Sequence, residues 1–209
     1  MARGTTAAKR ILHSYQSPMN QNHSPNTKER EIAGVETLAD LVREFQNTPQ
    51  DCGDDDEYYS SLETLDDVIR KASLALTASG LVSSHQRQWV RPESMQLALP
   101  ALLAVIESIQ ACRDFDSLLL LVERTLRGID GLGDLYYYDT SRRIGAFLGL
   151  FPLRVYLHRG TREGAKALRL DHTRQYLNMI SLPNELRCLE PKHVEDFLCR
   201  YKDRLKNVR

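Results

Sequence analysis

From Glu29 onward the apolar residues of this 209-residue chain recur at intervals of three and four, the spacing that lines one face of an α-helix. Ile32, Val35, Leu38, Val42 and Phe45 predict a first helix. The stretch NTPQDCGDDDE breaks the period with Pro49, Gly53 and a block of acids, and is expected to be a linker or exposed loop. Tyr58, Leu62, Leu65, Ile69, Ala72 and Leu76 predict a second helix, with Gly80 placed to cap it. After the connector LVSSHQRQWVRP, Pro92 opens a third that carries Met95, Leu99, Leu102, Ile106 and Ile109, and Pro100 should kink or divide it. Asp116 is expected to cap a fourth, through Leu119, Val122 and Leu126 to Gly128. Further helices are expected from Leu135 to Leu148, from an N-cap at Thr161 to Leu170, and from Pro191 through Val194, Phe197, Leu198, Tyr201 and Leu205.

No strand alternation and no repeat stands out, so the pattern predicts an all-α, compact multi-helix bundle. Residues 1–28 are polar and basic without a sustained period, and are expected to form a flexible tail. A transit peptide and a nucleic-acid-binding arm are the alternatives for that tail. The rest, 29–209, is expected to be a single α-helical domain with an acidic helical half, 29–127, and a basic hairpin-containing half, 128–209.

Charge sharpens that division. The formal net charge is zero, yet residues 1–141 carry 13 basic against 21 acidic side chains and residues 142–209 carry 15 against 7. A basic terminal third suggests a polyanionic partner; equally, the basic part can fold against the acidic part. The acid block itself can be solvated, serve the next helix start, or mimic a nucleic-acid backbone. No apolar run approaches bilayer length, so no membrane partner is expected. The four cysteines show no metal spacing and read as reduced thiols, which points to a cytoplasmic, if not nucleoid-associated, protein. No metal or cofactor is called for.

The densest chemical signal is GIDGLGDLYYYDTSRRIG, from Gly128 to Gly145. Gly131 and Gly133 flank Leu132 just before a helix, so the turn can present backbone N–H groups at a helix start, where an anion is favoured. A second helix start follows at Thr161, with Arg159, Arg162 and Lys166 around it. Arg142, Arg143, Arg159, Arg162 and Lys166 are the expected counter-charges for a phosphate backbone. The competing structural readings are an Asp139–Arg143 pair one helical turn apart and an Arg142 that fastens the basic half to the acidic one. The three tyrosines, Tyr136, Tyr137 and Tyr138, can stack on unpaired bases or pack in the core.

Ile129, Gly131, Leu132 and Gly133 resemble the helix-hairpin-helix motif, which joins two helices by a hydrophobic-x-Gly-hydrophobic-Gly turn. The resemblance implies contact with the nucleic-acid backbone without base reading. Tyr137 stands where that family usually has a small residue. Val155 to His158, VYLH, also resembles the Val-Asp-x-His segment of helix-hairpin-helix DNA glycosylases, with Tyr156 in place of the catalytic aspartate. The lysine that bifunctional members carry after the hairpin is absent, which implies a catalytically degenerate scaffold that binds without cleaving.

The expected function is therefore non-enzymatic nucleic-acid binding, DNA rather than RNA. The site comprises Gly131, Leu132, Gly133, Arg142, Arg143, Arg159, Thr161, Arg162 and Lys166. The alternatives are an interaction or scaffold module that uses the acidic half for a protein partner, and a divergent glycosylase-like enzyme. No hydrolase or nucleotide-binding motif is present; Asp139 and His158, with Tyr138 and Arg143, are the best acid–base candidates. The cluster HQRQW, His85 to Trp89, reads as a solvated loop.

Overall fold

The computed structural model describes residues 36–48 and 51–208, without the side chains of 51–54 and His85. The tail 1–28, and Ile32 and Val35 of the first expected helix, lie outside the described residues. Ten α-helices are described: α1 Leu38–Asn47, α2 Asp51–Ser60, α3 Leu65–Ser73, α4 Ser84–Trp89, α5 Pro92–Leu103, α6 Ile106–Gln110, α7 Phe115–Leu126, α8 Asp134–Leu148, α9 Arg159–Ala167 and α10 Pro191–Arg200. Two short strands, β1 Val155–Tyr156 and β2 Tyr176–Leu177, pair antiparallel, with Val155 opposite Leu177. The chain is thus mainly helical.

Local sequence explains most boundaries. Thr37 and Asp40 form a reciprocal capping box on α1, whose buried face is Leu38, Leu41, Val42 and Phe45. Thr64 caps α3 through the Asp67 N–H. The stretch expected as one helix over 58–76 is therefore divided: Tyr58 lies in the last turn of α2, which ends at Ser60, and the chain turns before Thr64. The acid block is not a loop but lies in α2. Gly80, with φ +76°, serves the turn that lets Leu76 bridge to Val82, not a helix end. Asp114, not Asp116, caps α7, accepting from the Ser117 N–H at 2.7 Å. Pro100 sits inside α5, and the break into α6 follows at 104–105. The final helix stops at Arg200 and resumes as a 3₁₀ turn over Arg204–Asn207.

Two hydrophobic clusters hold the fold. One gathers Tyr59, Val68, Ile69, Met95, Leu102, Leu118, Val122, Tyr136 and Ile144, from α2, α3, α5, α7 and α8. The other gathers α1 with β1, α9 and α10, through Phe45, Val155, Ala165, Phe197 and Leu198. Burying such side chains contributes roughly 1.5–3 kcal/mol each. Helix α1 belongs to the acidic half of the sequence yet packs on the basic half.

The charge asymmetry is also resolved by folding. Asp56 of α2 pairs with Arg142 of α8 (3.1 Å) and Lys192 of α10 (2.8 Å), and Asp55 pairs with Arg143 (3.2 Å). Asp116 pairs with Arg154 (3.0 Å), and Glu36 and Glu44 with Arg204. In each pair the acid comes from 29–127 and the base from 128–209.

Candidate functional site: a cleft between two helix starts

The hairpin from Arg127 to Gly133 is a tight turn between α7 and α8. Leu126 accepts from the Ile129 N–H at 2.9 Å, and Ile129 from Leu132 at 3.3 Å. Gly131 has φ +81°, a region that L side chains enter only at a cost. The Ser94 hydroxyl donates to the Asp130 carbonyl at 2.7 Å and holds the turn on α5. Leu132 points inward, 9% exposed, and the Tyr137 hydroxyl closes the turn on its carbonyl at 2.9 Å. Gly133 is the N-cap of α8 and offers no side chain to the first N–H groups; a Cβ there would meet nothing within 4 Å.

The second helix start lies one segment on. His158, not Thr161, is the N-cap of α9, and it makes no side-chain cap bond. Thr161 is fully buried in the first turn. Its hydroxyl lies 2.8 Å from His158 Nε2 and 3.1 Å from Glu195 Oε1. The His158 Nε2 also bonds Glu195 Oε1 directly. His158 is 4% exposed and Glu195 6%. Burial works against charge on the imidazole, but the Glu195 carboxylate, aided by Asp139 and Asp134, outweighs it and raises the His158 pKa.

These two starts open onto one cleft of about 150 Å³. From α8 and α7 come Asp134, Tyr138 and Glu123; from the other side come Tyr156, His158 and Arg162. Tyr156 donates to Asp116, and burial first, then that carboxylate, pushes its phenol pKa up. Arg162 Nη1 is fixed on the carbonyls of His172 (2.8 Å) and Arg174 (2.6 Å), so its charge is held at the rim by backbone.

Of the expected site residues, Gly133, Arg159, Thr161 and Arg162 gather at these helix starts, with Arg159 exposed; Lys166, also exposed, is not at the start of α9 but in its last turn, since the helix runs only from Arg159 to Ala167. Arg142 and Arg143 are not surface counter-charges. They are 8% and 4% exposed and held by Asp56 and Asp55 from α2, so the fastening role weighed for Arg142 is the one the geometry bears. The Asp139–Arg143 pair does not form; Asp139 accepts from Gln86 at 2.6 Å. All three tyrosines are buried, Tyr136 donating to the Ser73 carbonyl at 2.6 Å, which removes them as open stacking platforms.

Asp139 and His158 line different cavities. Asp139 lies with Arg142, Arg143, Glu195 and Cys199 on a second cavity of about 130 Å³ behind α8. Burial raises the Cys199 thiol there to about 11, and Cys112, Cys188 and Cys199 are all free thiols. The stretch HQRQW is not a solvated loop throughout: it lies in α4, with Gln86 1% exposed. Glu195 escaped the sequence reading. Its only signal is a carboxylate three positions before Leu198, beside the apolar face of α10.

Among the described residues no group of three or more His, Cys, Asp or Glu is placed to hold a metal, and no helix is long and apolar enough to cross a membrane. No protein-family model, curated protein or solved structure matches the chain.

Proposed function

We propose that this protein binds nucleic acid through its phosphate backbone at the cleft between the starts of α8 and α9. The observation that carries the reading is the convergence of two helix starts, neither with a side-chain cap, on one cleft. Each presents unpaired backbone N–H groups and the positive end of a helix dipole. The glycine turn makes sense in those terms: Gly133 leaves the first start uncovered. Arg162, fixed at the rim, and the exposed Arg159 on the first turn of α9 supply positive charge.

The shielded ion pairs weigh against an acidic docking surface on the N-terminal half, since Asp55 and Asp56 are already used within the fold.

Titration of the chain with a labelled single strand and duplex at several salt concentrations tests the reading. Affinity should fall with a steep log–log salt slope. The Arg159→Glu variant, altered at an exposed position on the first turn of α9, should weaken binding and retain its unfolding curve. No binding of either strand form at low salt refutes it.

A further inference from the structure

The cleft holds a contradiction for a pure phosphate-binding surface. Glu123 and Asp134, both acids, line it beside the helix starts. Carboxylates repel a phosphate, but they accept hydrogen bonds from hydroxyl groups. RNA carries a hydroxyl donor at every sugar, the 2′-OH, and DNA does not.

His158 adds a second unusual group. Its Nε2 is committed to Glu195 and Thr161, and Nδ1 has no hydrogen-bond partner among the described residues. The ring is nine-tenths buried and lines the cleft. A carboxylate behind one ring nitrogen fixes the ring's orientation and stabilises the imidazolium, leaving the other nitrogen to exchange a proton with whatever occupies the cleft. Glu123 is tied to Arg127 one turn on, whereas Asp134 is exposed and in no ion pair among the described residues.

We propose that this cleft is a catalytic site that cleaves RNA by transesterification, with Asp134 as the base and the Glu195-anchored His158 as the acid. The proposal rests on the phosphate-binding reading and adds an activity to it. Asp134 takes the proton of a 2′-hydroxyl. The O2′ forms a bond to the adjacent phosphorus as the P–O5′ bond breaks. The departing O5′ takes the Nδ1 proton of His158. The products are a 2′,3′-cyclic phosphate end and a 5′-hydroxyl end, and solvent returns the proton from Asp134 to His158, so no co-reactant is consumed. The N–H groups of the helix starts and Arg162 face the phosphate oxygens, where charge accumulates. Glu195 is a positioning residue that acts through His158.

Burial lowers the proton affinity of His158, while Glu195 on α10 and Asp139 and Asp134 on α8 raise it; Tyr138 on α8, Tyr156 on β1 and Arg162 on α9 share its surroundings. The acid must be protonated, so the rate should fall as pH rises through a His158 pKa held above its ordinary value.

The test incubates the purified chain with an end-labelled single-stranded RNA and its all-deoxy counterpart, with binding of both measured in parallel. RNA should yield cyclic-phosphate ends and the DNA should stay intact. His158→Gln, which is not a favoured N-cap and leaves the start of α9 open, should lower the rate at least ~100-fold with binding retained. Asp134→Asn, altered at an exposed position, should lower it comparably with an unchanged unfolding curve. Glu195→Gln should move the alkaline limb of the pH–rate profile to lower pH. Binding of RNA without cleavage anywhere between about pH 5 and 8.5 overturns the catalytic proposal and leaves the binding reading intact. Equal cleavage by wild type and His158→Gln also overturns it. Absence of binding to either strand refutes the binding reading itself.

Discussion

Asp56→Asn isolates the element that joins the two halves of the chain. Asp56 is 8% exposed. Its carboxylate meets Arg142 Nε at 3.2 Å and Nη2 at 3.1 Å, and Lys192 Nζ at 2.8 Å. Beside it Asp55 holds Arg143 at 3.2 Å, and Glu190 reaches Lys192 at 3.3 Å. Three cations thus face three carboxylates. Asparagine keeps the shape, removes one negative charge, and leaves a surplus cation in a poorly hydrated site. Burial already opposes the charge on Lys192, and Asp56 with Glu190 overcomes it, so its pKa is raised. Removing one member of a buried pair costs about 3–5 kcal/mol, against roughly 0–1 for a surface pair. That is a large fraction of a total stability of about 5–15 kcal/mol. Urea unfolding at neutral pH, followed by circular dichroism, reads the loss as a lower midpoint with an unchanged slope. If the cost is uncompensated charge, Asp56→Asn/Arg142→Met should be no less stable than Asp56→Asn alone. A single-variant cost below about 1 kcal/mol, or costs that add within about 0.5 kcal/mol, would refute the reasoning.

Gly164→Ala should destabilise the fold by about 1–3 kcal/mol or more, since the new Cβ would stand 2.1 Å from the Leu198 carbonyl oxygen, a backbone atom that cannot swing away. Alanine's helix propensity gain of ~1 kcal/mol runs the other way, so a net stabilisation in urea would show that α9 and α10 do not approach so closely. In the hairpin, Gly131→Ala should cost about 1–2 kcal/mol because of its positive φ, and Gly133→Ala much less, since its φ is −136° and its Cβ meets nothing. Equal losses would mean the turn is built differently. The His158–Glu195 contact has a raised folded pKa, so its stabilisation is fully present below the unfolded value of about 6.5 and fades as pH rises through the folded value. The difference in unfolding free energy between wild type and His158→Asn should therefore shrink with rising pH, and a pH-independent difference would contradict the assignment.

The helical character of the chain was legible because α-helical burial imposes a local period, and Val68, Ile69 and Ala72, or Phe197, Leu198 and Tyr201, carry it in their own spacing. Boundaries set by adjacent residues were partly legible: Pro92 and Pro191 open helices where expected, and Asp134–Leu148 is offset by one residue from its prediction. The acid block of α2 was misread. Its Asp55 and Asp56 are solvent-type residues by composition, and only partners 86 and more positions away bury Asp56 and half-bury Asp55.

The sequence alone determined that the chain is helical, that its charge is divided, and that a glycine turn stands before a helix, since each is a property of neighbouring residues. Tertiary structure decided what those features face. Charge carries no direction in sequence, so Arg142 and Arg143 read as surface cations until α2 met them. Nothing local to His158 announces Glu195, 37 positions on; the pair exists because α9 and α10 approach closely across Gly164. That approach, with the turn at Gly133, brings two helix starts to one cleft, a matter of how helices cross and not of any one helix's residues.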